Sequence, residues 1–241
     1  MLKRNKKYLS IIIPILNEAK NINYLVPKIS KVIKKNYKNY ELIIIDDNSE
    51  DNIYDVINKL KKKFKFLKFI QRKNKSERDL TKSCLEALKI CNSENILIMD
   101  GDLQHNPDDI KKLYEELLIS KSDIVIGTRN FTKKKNGLSL IRCLSSIMII
   151  FLFNFFLSKN TKKKISDPMS GFFIFKKNII NRIKKRMYGK GFKILSDIIY
   201  TKGTNLKINE ISIKFNYRIR GKSKMNLSTV YHIIGLFFNK L

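Results

Sequence analysis

Short apolar runs bounded by polar residues recur along the first half of the chain. Residues 8–13, 41–45, 66–70, 96–99 and 123–127 each read as a short buried strand. The stretches between them carry helical periodicity: 17 to about 35, on to Lys62, 76–90, and from Asn106 onward. Pro14 is expected to stop the first ladder, and Asn17 to cap the helix after it. Pro107 opens its helix in the first turn, with Asp108 and Asp109 at the positive end. Strand and helix alternating at this spacing predict a parallel sheet with right-handed crossovers. The expected fold class is α/β, with a Rossmann-like nucleotide fold in the first two-thirds of the chain.

Past Arg129 the pattern changes. Residues 137–157 are almost wholly apolar, and the uncharged run 143–158 is shorter than the roughly 20 residues that span a bilayer. A buried core helix and a helix lying in a membrane interface both fit. Lys-rich flanks and a crowd of phenylalanines in its second half favour the interface. Next come Asp167-Pro168-Met169-Ser170-Gly171-Phe172-Phe173, a helix, a glycine turn at 189–193, a helix to about Lys202 and a strand at 207–213. Residues 215–224 form a basic, Gly-containing loop fit to hold phosphate, and 227–241 is amphipathic with one apolar helical face.

Polar residues collect where strands end: Asn17 and Glu18, Asp46 and Asp47, Asp100 and Asp102, and Arg129. That places them on one rim. Asp100 and Asp102 flank Gly101, so an extended chain points both carboxylates to one side. With the amide oxygen of Gln104 nearby, this is a hard-oxygen set suited to Mg²⁺ or Mn²⁺. An isolated Asp-x-Asp is more often a turn that only caps a helix. Its place at the carboxyl end of a strand, where open α/β sheets bind ligands, favours the functional reading.

Composition narrows the partners. The chain is 43% hydrophobic, enough for a real core, and carries 50 Lys+Arg against 21 Asp+Glu, a net charge of +29. Such a balance suits polyanions: nucleic acid, an anionic membrane surface, or phosphorylated substrates. Part of it is a Lys- and Asn-rich bias. The lysine runs at 59–65, 133–135 and 162–164 do not interleave with aromatics as a base-stacking platform would. Carboxylates at three strand ends also argue against nucleic acid as the partner of that rim. Cys84, Cys91 and Cys143 have no metal-ligand spacing, and the first two are expected to face the core in a reducing cytosol. The basic start lacks a long apolar run and a small-residue cleavage site, so no cleaved signal is expected.

Seven motifs follow one another in register over nearly the whole chain. They are Pro14-x-x-Asn17-Glu18, Asp46-Asp47-Asn48-Ser49, Met99-Asp100-Gly101-Asp102-Leu103-Gln104-His105, Ile126-Gly127-Thr128-Arg129, Asp167-Pro168-Met169-Ser170-Gly171-Phe172, Gly191-Phe192-Lys193 and Phe215-x-x-Arg218-x-x-Gly221-x-Ser223-Lys224. Together they resemble the family-2 inverting glycosyltransferases, and within them the dolichyl- or polyprenyl-phosphate mannosyltransferase branch. The resemblance implies a GT-A type fold in a single domain, with a nucleotide-sugar-binding half over 1–130 and an acceptor-binding half with interfacial helices over 131–241. It implies that Asp46 and Asp47 bind the nucleoside, and that Asp100, Asp102 and Gln104 hold the metal. It implies that Arg129, Arg142, Ser146, Arg218 and Lys224 hold the acceptor phosphate. Pro14, Asn17, Glu18, Asp167 and Ser170 join the substrate-binding set through their motifs.

The implied reaction moves a sugar, with mannose from GDP-mannose favoured, to dolichyl or polyprenyl phosphate. A lipid monophosphate is already an anion near neutral pH, so it needs positioning among cations and no general base. Arg suits that task, since its fork grips phosphate oxygens. Arg142, heading the apolar segment, suits a phosphate whose lipid tail lies along that segment. Arg78-Asp79-Leu80 lacks the glycines that family members usually carry there. Many members continue into membrane helices; here attachment is expected to be peripheral on the cytosolic face, or through a membrane-anchoring partner subunit. The rival readings are transfer of glucose or an aminosugar, nucleotide-sugar binding without catalysis, and a basic nucleic-acid-binding protein.

Overall fold

The structure is a computed structural model that describes residues 9–36, 39–129, 150–151, 153–155, 164–191, 193–202, 206–217 and 235. Among the described residues, seven strands form one sheet in the order β3-β2-β1-β4-β6-β5-β7. The strands are β1 (Leu9–Ile15), β2 (Tyr40–Asp46), β3 (Leu67–Gln71), β4 (Asn95–Met99), β5 (Ile124–Arg129), β6 (Phe172–Lys176) and β7 (Ile208–Ile213). The helices are α1 (Ala19–Asn36), α2 (Ile53–Lys63), α3 (Leu80–Ile90), α4 (Asp109–Ile119), α5 (Lys177–Ile183) and α6 (Ile194–Lys202).

The central strands are apolar at nearly every position because both faces of the sheet are covered. Ile12, Ile43, Ile45, Ile96 and Ile98 point to one face, under Cys84 and Leu88 of α3, Ile180 of α5 and Ile198 of α6. Their alternates Ile11, Ile13, Ile44, Leu97 and Met99 point to the other, under α1, α2 and α4. Cys84 and Cys91 are buried, as their spacing predicts. The chain runs from β1 outward through β2 and β3, then returns to place β4 on the opposite side of β1. Strand order reverses there, which opens a crevice at the carboxyl ends of β1 and β4.

Four expectations need correction. β6 runs antiparallel between β4 and β5, so the sheet is mostly, not wholly, parallel. The residues of β6 follow a polar motif directly and read as its tail rather than as a strand. Pro14 does not stop β1: it pairs with Ile45, and the strand runs on to Ile15. Pairing with β4 ends at Ile12, so beyond it that side has no ladder for the missing N–H to interrupt. Asn17 is not the helix cap. It sits in the left-handed region at φ 56°, and Asp51 Oδ2 instead accepts from Ala19 N at 2.8 Å. The segment 76–90 is not one helix: a 3₁₀ turn at Lys75–Glu77 precedes α3, which Asp79 caps by accepting from Lys82 N at 2.9 Å.

Of the apolar stretch expected to lie in an interface, only 150–151 and 153–155 are described, and they are helical. Phe153 is buried in the core, whereas Phe151 is 70% and Phe155 58% exposed. No helix among the described residues is long and apolar enough to cross a membrane.

Candidate active site

The crevice is built around the turn that leaves β4. Asp100 N donates to Gly171 O at 3.0 Å, which ties the turn to the residue preceding β6. A Cβ on Gly171 would lie 2.0 Å from Asp100 Oδ2. A methyl there would push the Asp100 side chain aside, because the carboxylate packs directly on that backbone. Asp102 and Gln104 are nearly buried. Asp102 Oδ1 accepts from Gln104 N at 3.1 Å, and Leu103 between them takes φ 65°. Gln104 then clasps the segment after β7: its Nε2 donates to Asn216 O at 3.0 Å, and its carbonyl accepts from Asn216 N at 2.8 Å. His105 bridges to Phe215 and packs between the rings of Phe215 and Phe172. The root of the basic loop therefore rests on the Asp-x-Asp turn.

The cationic side comes from the end of β5. The Arg129 guanidinium meets Asp167 edge to edge and lies 5.4 Å from the centre of the Phe215 ring. Asp167 is fully buried, so its charge is held by this pair. Ser170 Oγ donates to Gly127 O at 2.6 Å and accepts from Phe172 N at 3.1 Å, joining β5 to β6. Lys193, partly buried, donates from Nζ to Met169 O at 3.1 Å. Burial draws the Lys193 ammonium below its ordinary pKa, while Asp100 acts most strongly of the nearby carboxylates to hold its proton. Burial, with Arg129 and Lys193 adding to it, pushes the His105 imidazole down to about 3, so it is neutral at physiological pH.

Further along the rim, at the end of β2, the acids are tied into the protein. Asp46 accepts from Ser49 N and from Gln71 Nε2, at 3.0 and 3.2 Å. Asp47 pairs with the buried Arg72 and accepts from Asp79 N at 2.6 Å. Asn17 staples the two loops together: Oδ1 accepts from Glu50 N and its own N–H donates to Ser49 Oγ, both at 2.7 Å. Glu18 is nearly buried at the start of α1 and accepts from Asn21 Nδ2. Pro14 lies inside the β1–β2 ladder.

The structure thus brings Asp100, Asp102, Gln104, Arg129, Asp167 and Ser170 together, with Asn17, Glu18, Asp46 and Asp47 along the same rim. Arg142, Ser146, Arg218 and Lys224 lie outside the described residues. Lys193, His105 and Arg72 belong to the site's surroundings, yet the sequence reading gave them no role. The first two stand within motifs, which was the available signal. Among the described residues no group of three or more His, Cys, Asp and Glu is placed to hold a metal ion by itself. Two carboxylates and an amide form a hard-oxygen set that fits Mg²⁺ or Mn²⁺, ions that fill their remaining positions with water and substrate phosphate.

The model of "Glycosyl transferase family 2" matches residues 10–184. Three curated relatives are each called dolichol-phosphate mannosyltransferase. The protein of Pyrococcus furiosus is 33% identical over 93% of this chain and 61% of its own length. That of Mycosarcoma maydis is 29% identical over 90% of this chain and 73% of its own. The Saccharomyces cerevisiae protein is 28% identical over 90% and 80%. The chain therefore spans about three-fifths of the archaeal relative. Among solved structures, glucosyl-3-phosphoglycerate synthase of Mycobacterium tuberculosis with Mn²⁺, UDP-glucose and phosphoglyceric acid superposes with a TM-score of 0.73. It is 14% identical over 97% of this chain and 79% of that one, a likeness of fold.

Proposed function

The chain belongs to glycosyl transferase family 2, and we propose that it transfers a mannosyl group from GDP-mannose to dolichyl or polyprenyl phosphate. The reading is supported above all by one conjunction. Two hard carboxylates, Asp100 and Asp102, share a crevice with Arg129 and Lys193, and relatives matched over nine-tenths of the chain are called dolichol-phosphate mannosyltransferase.

In this reading Asp100, Asp102 and Gln104 hold Mg²⁺ or Mn²⁺, as the Mn²⁺ and uridine diphosphate found with the mycobacterial synthase suggest. Bound there, the ion would neutralise the charge that grows on the departing diphosphate. Asp46 and Asp47 shape the nucleoside end of the crevice, with Pro14, Asn17 and Glu18 beside them. Arg129, oriented by Asp167, faces the acceptor phosphate together with Arg142, Ser146, Arg218 and Lys224, with Ser170 tying β5 to β6 beside it. A phosphate oxygen forms its bond to the anomeric carbon on the face opposite the leaving diphosphate, as the carbon–diphosphate bond breaks. The configuration inverts, and because the acceptor is already an anion no proton is removed.

The acceptor's lipid tail requires a membrane, and Phe151 and Phe155, four residues apart and exposed, offer an apolar edge for it. We place the protein peripherally on the cytosolic face, held by this edge and by its positive charge, or by a membrane-anchoring subunit. Residues 1–130 and 131–241 act as the donor and acceptor halves of a single domain. Labelled GDP-mannose, GDP-glucose, UDP-glucose and UDP-N-acetylglucosamine, each incubated with a polyprenyl phosphate, test the reading. Lipid-extractable label is expected from GDP-mannose. Label from another donor alone would change the sugar, and label from none would remove the activity.

A further inference from the structure

Donor half and acceptor half meet at a carboxylate that has no task in the scheme above. Asp79 is nearly buried at the start of α3 and binds in three directions. Its N–H donates to Asp47 Oδ2 at 2.6 Å, its Oδ1 accepts from Lys82 N at 2.9 Å, and its Oδ2 accepts from Gly191 N at 2.5 Å. Gly191 O in turn accepts from Thr81 N at 2.9 Å, so both polar groups of the Gly191 backbone are held by residues 79–81. Gly191 takes φ 90°, a conformation that strains any residue with a side chain. Capping α3 needs one acceptor oxygen. The second oxygen of Asp79 serves the distant turn.

That turn leads directly to a hub formed by residues 167–171. Lys193 Nζ donates to Met169 O at 3.1 Å, and Ser196 Oγ, in the first turn of α6, donates to Pro168 O at 2.7 Å. The hub carries two groups of the site. Asp167 holds the Arg129 guanidinium, and Gly171 O accepts from Asp100 N at 3.0 Å. A connected path therefore runs from Asp47 at the donor end, through Asp79, Gly191 and Lys193, to the backbone that sets Arg129 and Asp100.

We propose that Asp79 is a positioning residue for sugar transfer: its second oxygen latches the 189–193 turn, and with it Lys193 and the hub, to the donor end of the crevice. It acts through Gly191 and Lys193 on where Arg129 and Asp100 stand. Loss of the side chain slows the chemical step and leaves donor binding in place, because the Asp79 backbone N–H still reaches Asp47. A carboxylate that only caps α3 would have no such effect. This inference rests on the transfer proposed above.

Asp79→Ser is the discriminating variant, since a hydroxyl can cap α3 but offers no second oxygen to Gly191. Transfer from GDP-mannose to polyprenyl phosphate is measured for wild type, Asp79→Ala, Asp79→Ser, Lys193→Met and the Asp79→Ser/Lys193→Met double variant. Denaturant unfolding and amide exchange of Gly191 in ¹⁵N-glycine-labelled protein accompany it. Asp79→Ser should unfold later than Asp79→Ala and yet be no more active. In both, kcat should fall at least about tenfold, with KM for GDP-mannose within about twofold of wild type. Gly191 should exchange at least about tenfold faster in both. The double variant should be no more than about twofold slower than Lys193→Met, because the two residues act in series. Wild-type kcat in Asp79→Ser would reduce Asp79 to a cap and overturn the proposal. An unchanged Gly191 amide, a loss confined to KM, or losses that multiply in the double variant would overturn it too. Absence of transfer in wild type would overturn the function reading and the positioning role with it, while Gly191 exchange would still report the latch.

Discussion

Arg129 and Asp167 meet edge to edge, Nε to Oδ2 at 2.6 Å and Nη2 to Oδ1 at 2.7 Å. The Arg129 backbone N–H also donates to Oδ2, at 3.2 Å. This pair joins the end of β5 to the hub at 167–171, and it fixes which edge of the guanidinium can face a ligand. Removing one member leaves the other's charge uncompensated. Asp167→Ala should therefore cost about 3 kcal/mol of stability. Combined with Arg129→Ala, the loss should be smaller than the sum of the single losses. Denaturant unfolding of the two single variants and the double variant checks this.

Gly171→Ala should act on Asp100. The added methyl would stand 2.0 Å from its carboxylate oxygen, so the side chain must move by an ångström or more. A displacement of that size at a reacting centre costs on the order of 100-fold in rate. Transfer should fall accordingly, while circular dichroism stays close to wild type.

The thiols make a pH prediction. Burial, with Glu41 adding to it, pushes Cys91 up from an ordinary 9.0 to about 12, and burial raises Cys84 as well. Neither should react with iodoacetamide at pH 8 in the folded protein. Between pH 9 and 12 the unfolded Cys91 loses a proton that the folded one keeps. Stability should then fall with rising pH, by about 1.4 kcal/mol per unit for this thiol. A Cys91→Ala variant should lose that part of the slope in unfolding curves taken across the range.

Phe151→Asp combined with Phe155→Asp should weaken sedimentation with anionic liposomes by about tenfold or more, since both rings are exposed and apolar. High salt should loosen the wild type only in part. A folded double variant that sediments like wild type would make this edge irrelevant to the membrane.

Most of the sheet was legible because a strand covered on both faces is apolar at nearly every position, as β1, β2, β4 and β5 are along their middles. β6 escaped because a short apolar run after a polar motif has no period of its own to declare it. The turn bearing Asp100, Asp102 and Gln104 was legible as a position, since acids at a strand's carboxyl end stand out. Partners were not legible: nothing in the sequence joins Arg129 to Asp167, or Asp47 to Arg72. Lys193 was hidden by composition, one among 50 basic residues. Asn17 was read as a cap because its preference for caps and for left-handed turns comes from the same short amide.

The central claim is that Asp100 and Asp102 serve metal-dependent sugar transfer to a lipid phosphate. It is tested most directly by following label from GDP-mannose into polyprenyl phosphate with wild type, with wild type plus EDTA, and with Asp102→Asn. The account predicts label in the lipid for wild type, loss with EDTA that added Mg²⁺ or Mn²⁺ restores, and a folded Asp102→Asn protein at least about 1,000-fold slower. Full activity in EDTA, or in Asp102→Asn, would contradict it.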